Sequence, residues 1–254
     1  MNLVRSRYKQ LLRSWALAFL QPRPLVGSFY LPRYLKDWSR FKALAPDVNL
    51  SWVDTYPCLS DWVQSTPFDP HYFFQGAWLA RKLAACTPTI HVDIGSSALM
   101  VSVTSAQCPT VFLDYRPLSV RLSGLASVAG DIRNLPFADS TITSLSCLHV
   151  IEHIGLGRYG DQLDPNGSSR AAGELQRILA SRGKLYLSMP VGRERVCFNA
   201  HRVFSPSTVL EWFPTLQLTS FSLVGDDGKF LEDVSPVTAD NMEYGCGMFE
   251  FTRF

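Results

Sequence analysis

The chain has 254 residues, 46% of them hydrophobic and 18% charged, with a formal net charge of +2 at pH 7. That length holds one large α/β domain with room for an extension, and so small a net charge argues against a dedicated nucleic-acid binder. No apolar run reaches the roughly 18–20 residues that span a bilayer, and the six cysteines, at 58, 86, 108, 147, 197 and 246, include no C-x-x-C, which points to reduced thiols in a cytoplasmic protein rather than to disulfides or a zinc site.

The first 42 residues are lopsided: they carry Arg5, Arg7, Lys9, Arg13, Arg23, Arg33, Lys36, Arg40 and Lys42 against one acid, Asp37. Within them "RYKQLLRSWALAFLQPRP" predicts an amphipathic helix closed by Pro22 and Pro24, with Trp15, Leu17, Phe19 and Leu20 as an apolar anchor. "WALAFL" is short for the apolar core of a signal peptide, and no small-residue cleavage site follows. Two uses remain. The helix packs on the domain with its basic face in water, or it makes peripheral contact with an anionic membrane surface. Residues 43–70 are rich in Pro, Asp and Trp without sustained periodicity and are expected to connect, or to cover as a lid. The chain then divides into an extension, 1–70, and a main domain, 71–254.

From residue 71 the elements alternate. "HYFFQGAWLARKLAA" predicts a helix, "TIHVDIG" (89–95) and "TVFLDYR" (110–116) predict strands, and "SVAGDIRNLPF" (127–137) a short strand and turn. "TITSLSCLH" (141–149) predicts a strand, "GSSRAAGELQRILA" (167–180) a helix and "GKLYLSMPVG" (183–192) a strand. A short helix near Ser205 and two last strands, "LQLTSFSLV" and "CGMFEFTRF", complete the order. Apolar runs without clean alternation fit strands covered on both faces, hence a mostly parallel sheet with helices outside.

His149-Val-Ile-Glu152-His153 matches H-x-x-E-H, a zinc-peptidase pattern. That chemistry needs both imidazoles on one helix face. A β-branched run precedes the motif and Gly155 and Gly157 follow it, so a strand end running into a loop is expected, and with it no metal bound by these ligands.

In open α/β sheets ligands bind at the carboxyl ends of the strands. There the sequence puts Asp93, Gly95, Ser96 and Ser97 after the first strand, Asp114 after the second, Gly130, Asp131 and Ile132 after the third, and His149, Glu152 and His153 after the fourth. Three acids in register with three strands point to a nucleoside. A dinucleotide site wants G-x-G-x-x-G for its pyrophosphate; "GSSALM" has one glycine, which suits a ligand without phosphate.

The run "VDIGSS…LDY…GDIRNLPFADSTITSLSCLHVIEHIG…GELQRILASRGKLYLSMPVG" resembles the core of class I S-adenosylmethionine-dependent methyltransferases, from about residue 70 to the end. "EHIGLGRYGDQLDPNG" resembles, more narrowly, a bacterial methyltransferase-like family of unknown function. The resemblance implies a Rossmann-like, doubly wound, mostly parallel seven-stranded sheet with an antiparallel last strand. It implies S-adenosylmethionine as cofactor, with Asp93, Gly95, Ser96 and Ser97 at its methionine part, Asp114 and Tyr115 at the ribose, Asp131 and Ile132 at the adenine, and Leu148 or His149 closing the adenine's far side. Ser96 and Ser97 stand where the family usually has G-x-G.

Methyl transfer from a sulfonium is an in-line displacement in which the enzyme positions the acceptor and excludes water. An oxygen acceptor also benefits from a base. His153 is the first candidate, oriented by Glu152, and His201 the second. The Gly-rich connection 155–167 offers Arg158, Tyr159 and Asp161 to a substrate. The leading acceptor is a small molecule or a glycan hydroxyl. A non-catalytic scaffold and a nicotinamide oxidoreductase are the alternatives.

Overall fold

The computed structural model describes Leu12 and residues 24–254. The helix expected over residues 7–24, with Trp15, Leu17, Phe19 and Leu20, lies outside the described residues except at Leu12 and Pro24. The chain separates into a first unit that ends at Phe68 and a second unit, Asp69–Phe254.

Among the described residues of the first unit the main element is helix α1, Pro24–Leu44. Pro24 opens this helix. A proline there costs nothing, because the first helical N–H groups have no intrahelical acceptor. Pro32 lies inside the helix. Beyond α1 comes a single 3-10 turn at Trp52–Asp54. Aromatic contacts order this stretch: Trp38 meets Trp52 edge-on at 5.5 Å, and the Arg33 guanidinium sits 3.3 Å over the Trp62 ring. None of the described helices is long and apolar enough to cross a membrane.

The second unit opens with α2, Pro70–Cys86, whose Asp69 carboxylate accepts the N–H groups of His71 and Tyr72. There follow β1 (His91–Ile94), α3 (Ala98–Gln107), β2 (Thr110–Asp114), β3 (Leu125–Ala129) and β4 (Ile142–Leu148). Next are α4 (Gly167–Ile178), β5 (Leu179–Val191), β6 (Arg195–Cys197), β7 (His201–Val203) and α5 (Pro206–Glu211). β8 (Gln217–Val224), β9 (Phe230–Leu231) and β10 (Gly245–Thr252) complete the unit. The main sheet runs β3-β2-β1-β4-β5-β10-β8-β9. β1 to β5 pair in parallel, while β10 is antiparallel to both β5 and β8. The expected seven strands are there, and the two-residue β9 adds an eighth at the edge. β6 and β7 form a separate hairpin in a stretch where the sequence analysis expects no strand.

Both sheet faces are covered, as the strand composition required. Trp78, Leu79 and Leu83 of α2 pack with Leu148, Tyr186 and Met248 on one face. Ala171, Ala172, Leu175 and Ile178 of α4 pack with Leu145, Leu187, Phe249 and Phe251 on the other. Polar residues within these strands satisfy one another. The buried His91 ring bonds Ser144 Oγ and Ser146 Oγ through its two nitrogens, each at 2.8 Å, and Ser146 donates on to Asp93. Burial holds His91 down to about pKa 4 and lifts Asp93 to about 6.

Candidate functional site

A cleft opens at the carboxyl ends of β1, β2, β3 and β4, where the strand order reverses between β1 and β4. Its empty space is about 690 Å³, open solvent included. Apolar Ile94, Leu113, Ile132, Val150 and Ile154 line it together with Gly95, Asp114, Tyr115, Asp131, His149, His153, Tyr159 and Asp161. Small-molecule sites have this make-up, an apolar wall with a few convergent polar groups.

Gly95 sets the floor. Its φ is +69°, and a Cβ there would lie 3.0 Å from Val150 Cγ1 and 3.4 Å from Asp114 Oδ2. A side chain at 95 would therefore be strained, and it would also fill the approach between Val150 and Asp114. The other loop residues expected at the cofactor are spent inside the loop. Asp93, 1% exposed, accepts Ser96 N–H at 3.0 Å. Ser96 Oγ accepts Leu148 N–H at 3.1 Å, tying the loop to β4. Ser97 caps α3 by accepting Met100 N–H. These three do not line the cleft; they shape the backbone that does.

At the end of β2, Asp114 Oδ1 accepts Arg116 N–H at 2.6 Å. After β3, Asp131 is forked by Arg133 through Nε and Nη2, the latter at 2.7 Å. Those hydrogen bonds hold its carboxyl below the usual range. Arg133, a cleft residue the sequence reading passed over, thus fixes how Asp131 faces the ligand space. Leu148 is buried away from the cleft, and Val150 stands in it instead. The cause is His149, whose φ of +55° turns the chain out of the strand and changes which side chains reach the opening. A non-glycine residue in the left-handed region is a feature that sequence patterning does not reveal.

His149 directly follows the end of β4, and Glu152 and His153 lie in a 3-10 turn, Ile151–His153, in place of a long helix. Glu152 is 1% exposed, neither carboxyl oxygen has a hydrogen-bond partner, and burial pushes its pKa up to about 8. His153 Nδ1–H donates to the Ala200 carbonyl at 2.6 Å, which leaves Nε2 3.7 Å from Glu152 Oε1. Burial holds this ring at about pKa 4, so it is neutral at pH 7. His201 stands near it but does not line the cleft; its ring lies 5.2 Å from that of Tyr244.

The 155–167 connection folds over the cleft. Tyr159 lies under the Arg116 guanidinium at 4.2 Å and beside His153 at 5.8 Å. Arg158 donates to the Ala200 carbonyl at 2.9 Å rather than into the opening. Asp161 holds the turn itself, accepting Gly155 N–H at 2.8 Å and Tyr159 N–H at 3.2 Å.

Residues 130–220 match the family described as "Caenorhabditis protein of unknown function, DUF268". No curated protein matches. Among solved structures, the chain is similar to the N-methyltransferase NodS from Bradyrhizobium japonicum WM9 in complex with S-adenosylhomocysteine. The TM-score is 0.53 and the identity 16%, over 84% of this chain and 97% of that one. It is also similar to a putative methyltransferase from Bacillus halodurans C-125, at TM-score 0.50 and 13% identity over 69% of this chain and 97% of that one. With the strand order and the antiparallel β10 set beside these likenesses, the chain has the fold of the class I S-adenosylmethionine-dependent methyltransferases.

Proposed function

We propose that the chain transfers a methyl group from S-adenosylmethionine to an oxygen of a small-molecule or glycan acceptor. The observation that carries this reading is the juxtaposition, around one cleft, of the Gly95 floor, the Asp114 carboxylate and the His153 ring. When bound, S-adenosylmethionine supplies a sulfonium methyl group open to in-line attack. Asp114 accepts the ribose hydroxyls, and Ile132 and Val150 offer apolar surface to the adenine. Asp131, fixed by Arg133, faces the same space. His153 keeps the lone pair of Nε2 available at neutral pH because its Nδ1–H is committed to Ala200. It takes the acceptor's proton as the new bond forms. The Ala200 carbonyl orients the ring, and Glu152, neutral and buried, stands 3.7 Å from Nε2. Tyr159 and the 155–167 connection exclude water from the reacting atoms.

Calorimetry with S-adenosylmethionine, S-adenosylhomocysteine and NAD tests the reading. Binding of the first two and not the third is expected. Binding of none makes the chain a scaffold, and binding of NAD alone makes it an oxidoreductase. In the same assay Asp114→Ala is expected to cost about 1.5–3 kcal/mol, the worth of a hydrogen bond to a charged group, so the dissociation constant rises roughly 10- to 150-fold. A folded variant with unchanged affinity would remove Asp114 from the site.

A further inference from the structure

Four of the five histidines gather where α2, β4, the β6–β7 hairpin and β10 meet, and the proposed methyl transfer uses only part of that cluster. We propose that His71, His149 and Cys246 form a binding site for a zinc-class divalent cation. His71 comes from the first turn of α2, His149 from the end of β4 and Cys246 from the start of β10. One ligand atom from each of the three lies within 4.8 Å of the other two. Around a tetrahedral ion with Zn–N near 2.0–2.1 Å and Zn–S near 2.3 Å, ligand atoms stand about 3.3–3.6 Å apart. A contraction of about 1 Å closes the shell.

Two independent observations point to a missing ligand. His149 Nε2 is buried with no hydrogen-bond partner, and so are both oxygens of Glu152 three residues on. Native interiors seldom leave such groups unsatisfied, and the usual explanation is a bound ion or water. The outer contacts are also those of metal ligands. A metal-bound imidazole typically anchors its second nitrogen on a carbonyl or hydroxyl. His149 Nδ1 lies 3.4 Å from Ser188 Oγ, and the Tyr244 ring stacks on that of His71 at 5.3 Å. The left-handed backbone at His149 keeps its ring toward α2, with the His71 ring edge-on at 5.6 Å. Strain of this kind collects at functional sites.

The donor set names the class of ion. Two imidazoles and a thiolate suit zinc and its soft-to-borderline neighbours, whereas magnesium and calcium take oxygen ligands. Cys246, fully buried and in no disulfide, must lose its proton on binding. The S–H bond breaks, the proton leaves to solvent and the sulfur lone pair goes to the metal. Three protein ligands leave a fourth position open to water or a further ligand. His153 is not one of the three, so this is not the peptidase pattern. The site stands whether or not the chain transfers methyl groups.

The test uses untagged full-length protein, stripped with chelator and titrated with cobalt(II) and then zinc. One equivalent of cobalt with a thiolate-to-metal charge-transfer band is expected, displaced by zinc. Cys246→Ser should remove the band, and His71→Gln and His149→Gln should each weaken binding at least 100-fold, while His153→Gln keeps it. Should Cys246→Ser not fold, His71→Gln decides, since His71 sits on a half-exposed first turn. Loss of tight binding there supports the site, and unchanged binding overturns it. Failure of the wild type to take up an equivalent of cobalt overturns it as well.

Discussion

Glu152→Gln is expected to abolish a loss of stability that the wild-type protein suffers between pH 6.5 and 8. The Glu152 carboxyl titrates at about 8 in the folded chain because burial disfavours its charge, against 4.5 when free. Across that window the folded state holds a proton that the unfolded state has released, so stability falls as pH rises. Each pH unit is worth about 1.4 kcal/mol, which gives roughly 2 kcal/mol from pH 6.5 to 8 and up to about 5 kcal/mol across the whole interval. The upper part of the window is the clean one. His91, His149 and His153, held at about 4, 3 and 4, must charge on unfolding below their free value of 6.5, and they act in the opposite direction. Asp93, lifted to about 6, has finished titrating by then. Glutamine mimics the neutral acid and removes the slope. Urea unfolding of both proteins at pH 6.5 and 8, with chelator present, measures it. Equal wild-type stability at the two pH values would mean that Glu152 is ionised in the folded chain.

Replacing Arg202 with methionine should lower the unfolding temperature by about 10 °C. Arg202 is 7% exposed and lies in β7. Its guanidinium donates to the Ile154 carbonyl at 2.7 Å, to Ser168 Oγ at 3.2 Å and to the Asp164 carbonyl at 3.4 Å. Ser168 in turn donates to the Ile151 carbonyl at 2.7 Å. One buried cation thus joins both ends of the connection that carries Tyr159 and Asp161 to the first turn of α4. Methionine keeps the length of the stem but leaves buried acceptors bare, at a cost of about 3–5 kcal/mol. At about 2–4 °C per kcal/mol for a domain of this size, the shift is easily read by circular dichroism. Lysine keeps the charge without the fork and should recover only part of the loss. An unchanged transition in the methionine variant would show that the connection is held by other contacts.

The sheet was legible in the sequence because β1, β2 and β4 are short, apolar or β-branched runs and β5 carries the run "KLYLSMPV", with turn residues near their ends. Even the polar Ser144 and Ser146 did not hide β4, whose Ile142, Leu145, Cys147 and Leu148 are apolar; their partner, His91, lies in a neighbouring strand. Helix α3 was not legible. "ALMVSVTSAQ" has no clear polar face and several β-branched residues, and the one signal, the cap at Ser97, was assigned to a ligand instead. Within the site, Gly95, Asp114 and Asp131 could be found because strand ends can be counted. Val150, Ile154 and Arg133 could not, since their direction depends on the left-handed turn at His149 and on a fork closed in space. The His71, His149 and Cys246 group has no local spacing at all; only the meeting of a helix start with two strand ends assembles it.

The place of β10 has a consequence for biosynthesis. It lies between β5 and β8, not at an edge. As the chain leaves the ribosome, β1 to β5 can pair among themselves, but β8 and β9 have nothing to join until residues 245–252 emerge. During that interval β5 offers an open strand edge, the kind of template on which nascent chains aggregate. A stop codon before residue 245 would therefore do more than shorten the product: it would leave β8 and β9 with no place in the sheet, and the cell would meet a species in which the second edge of β5 stays permanently open.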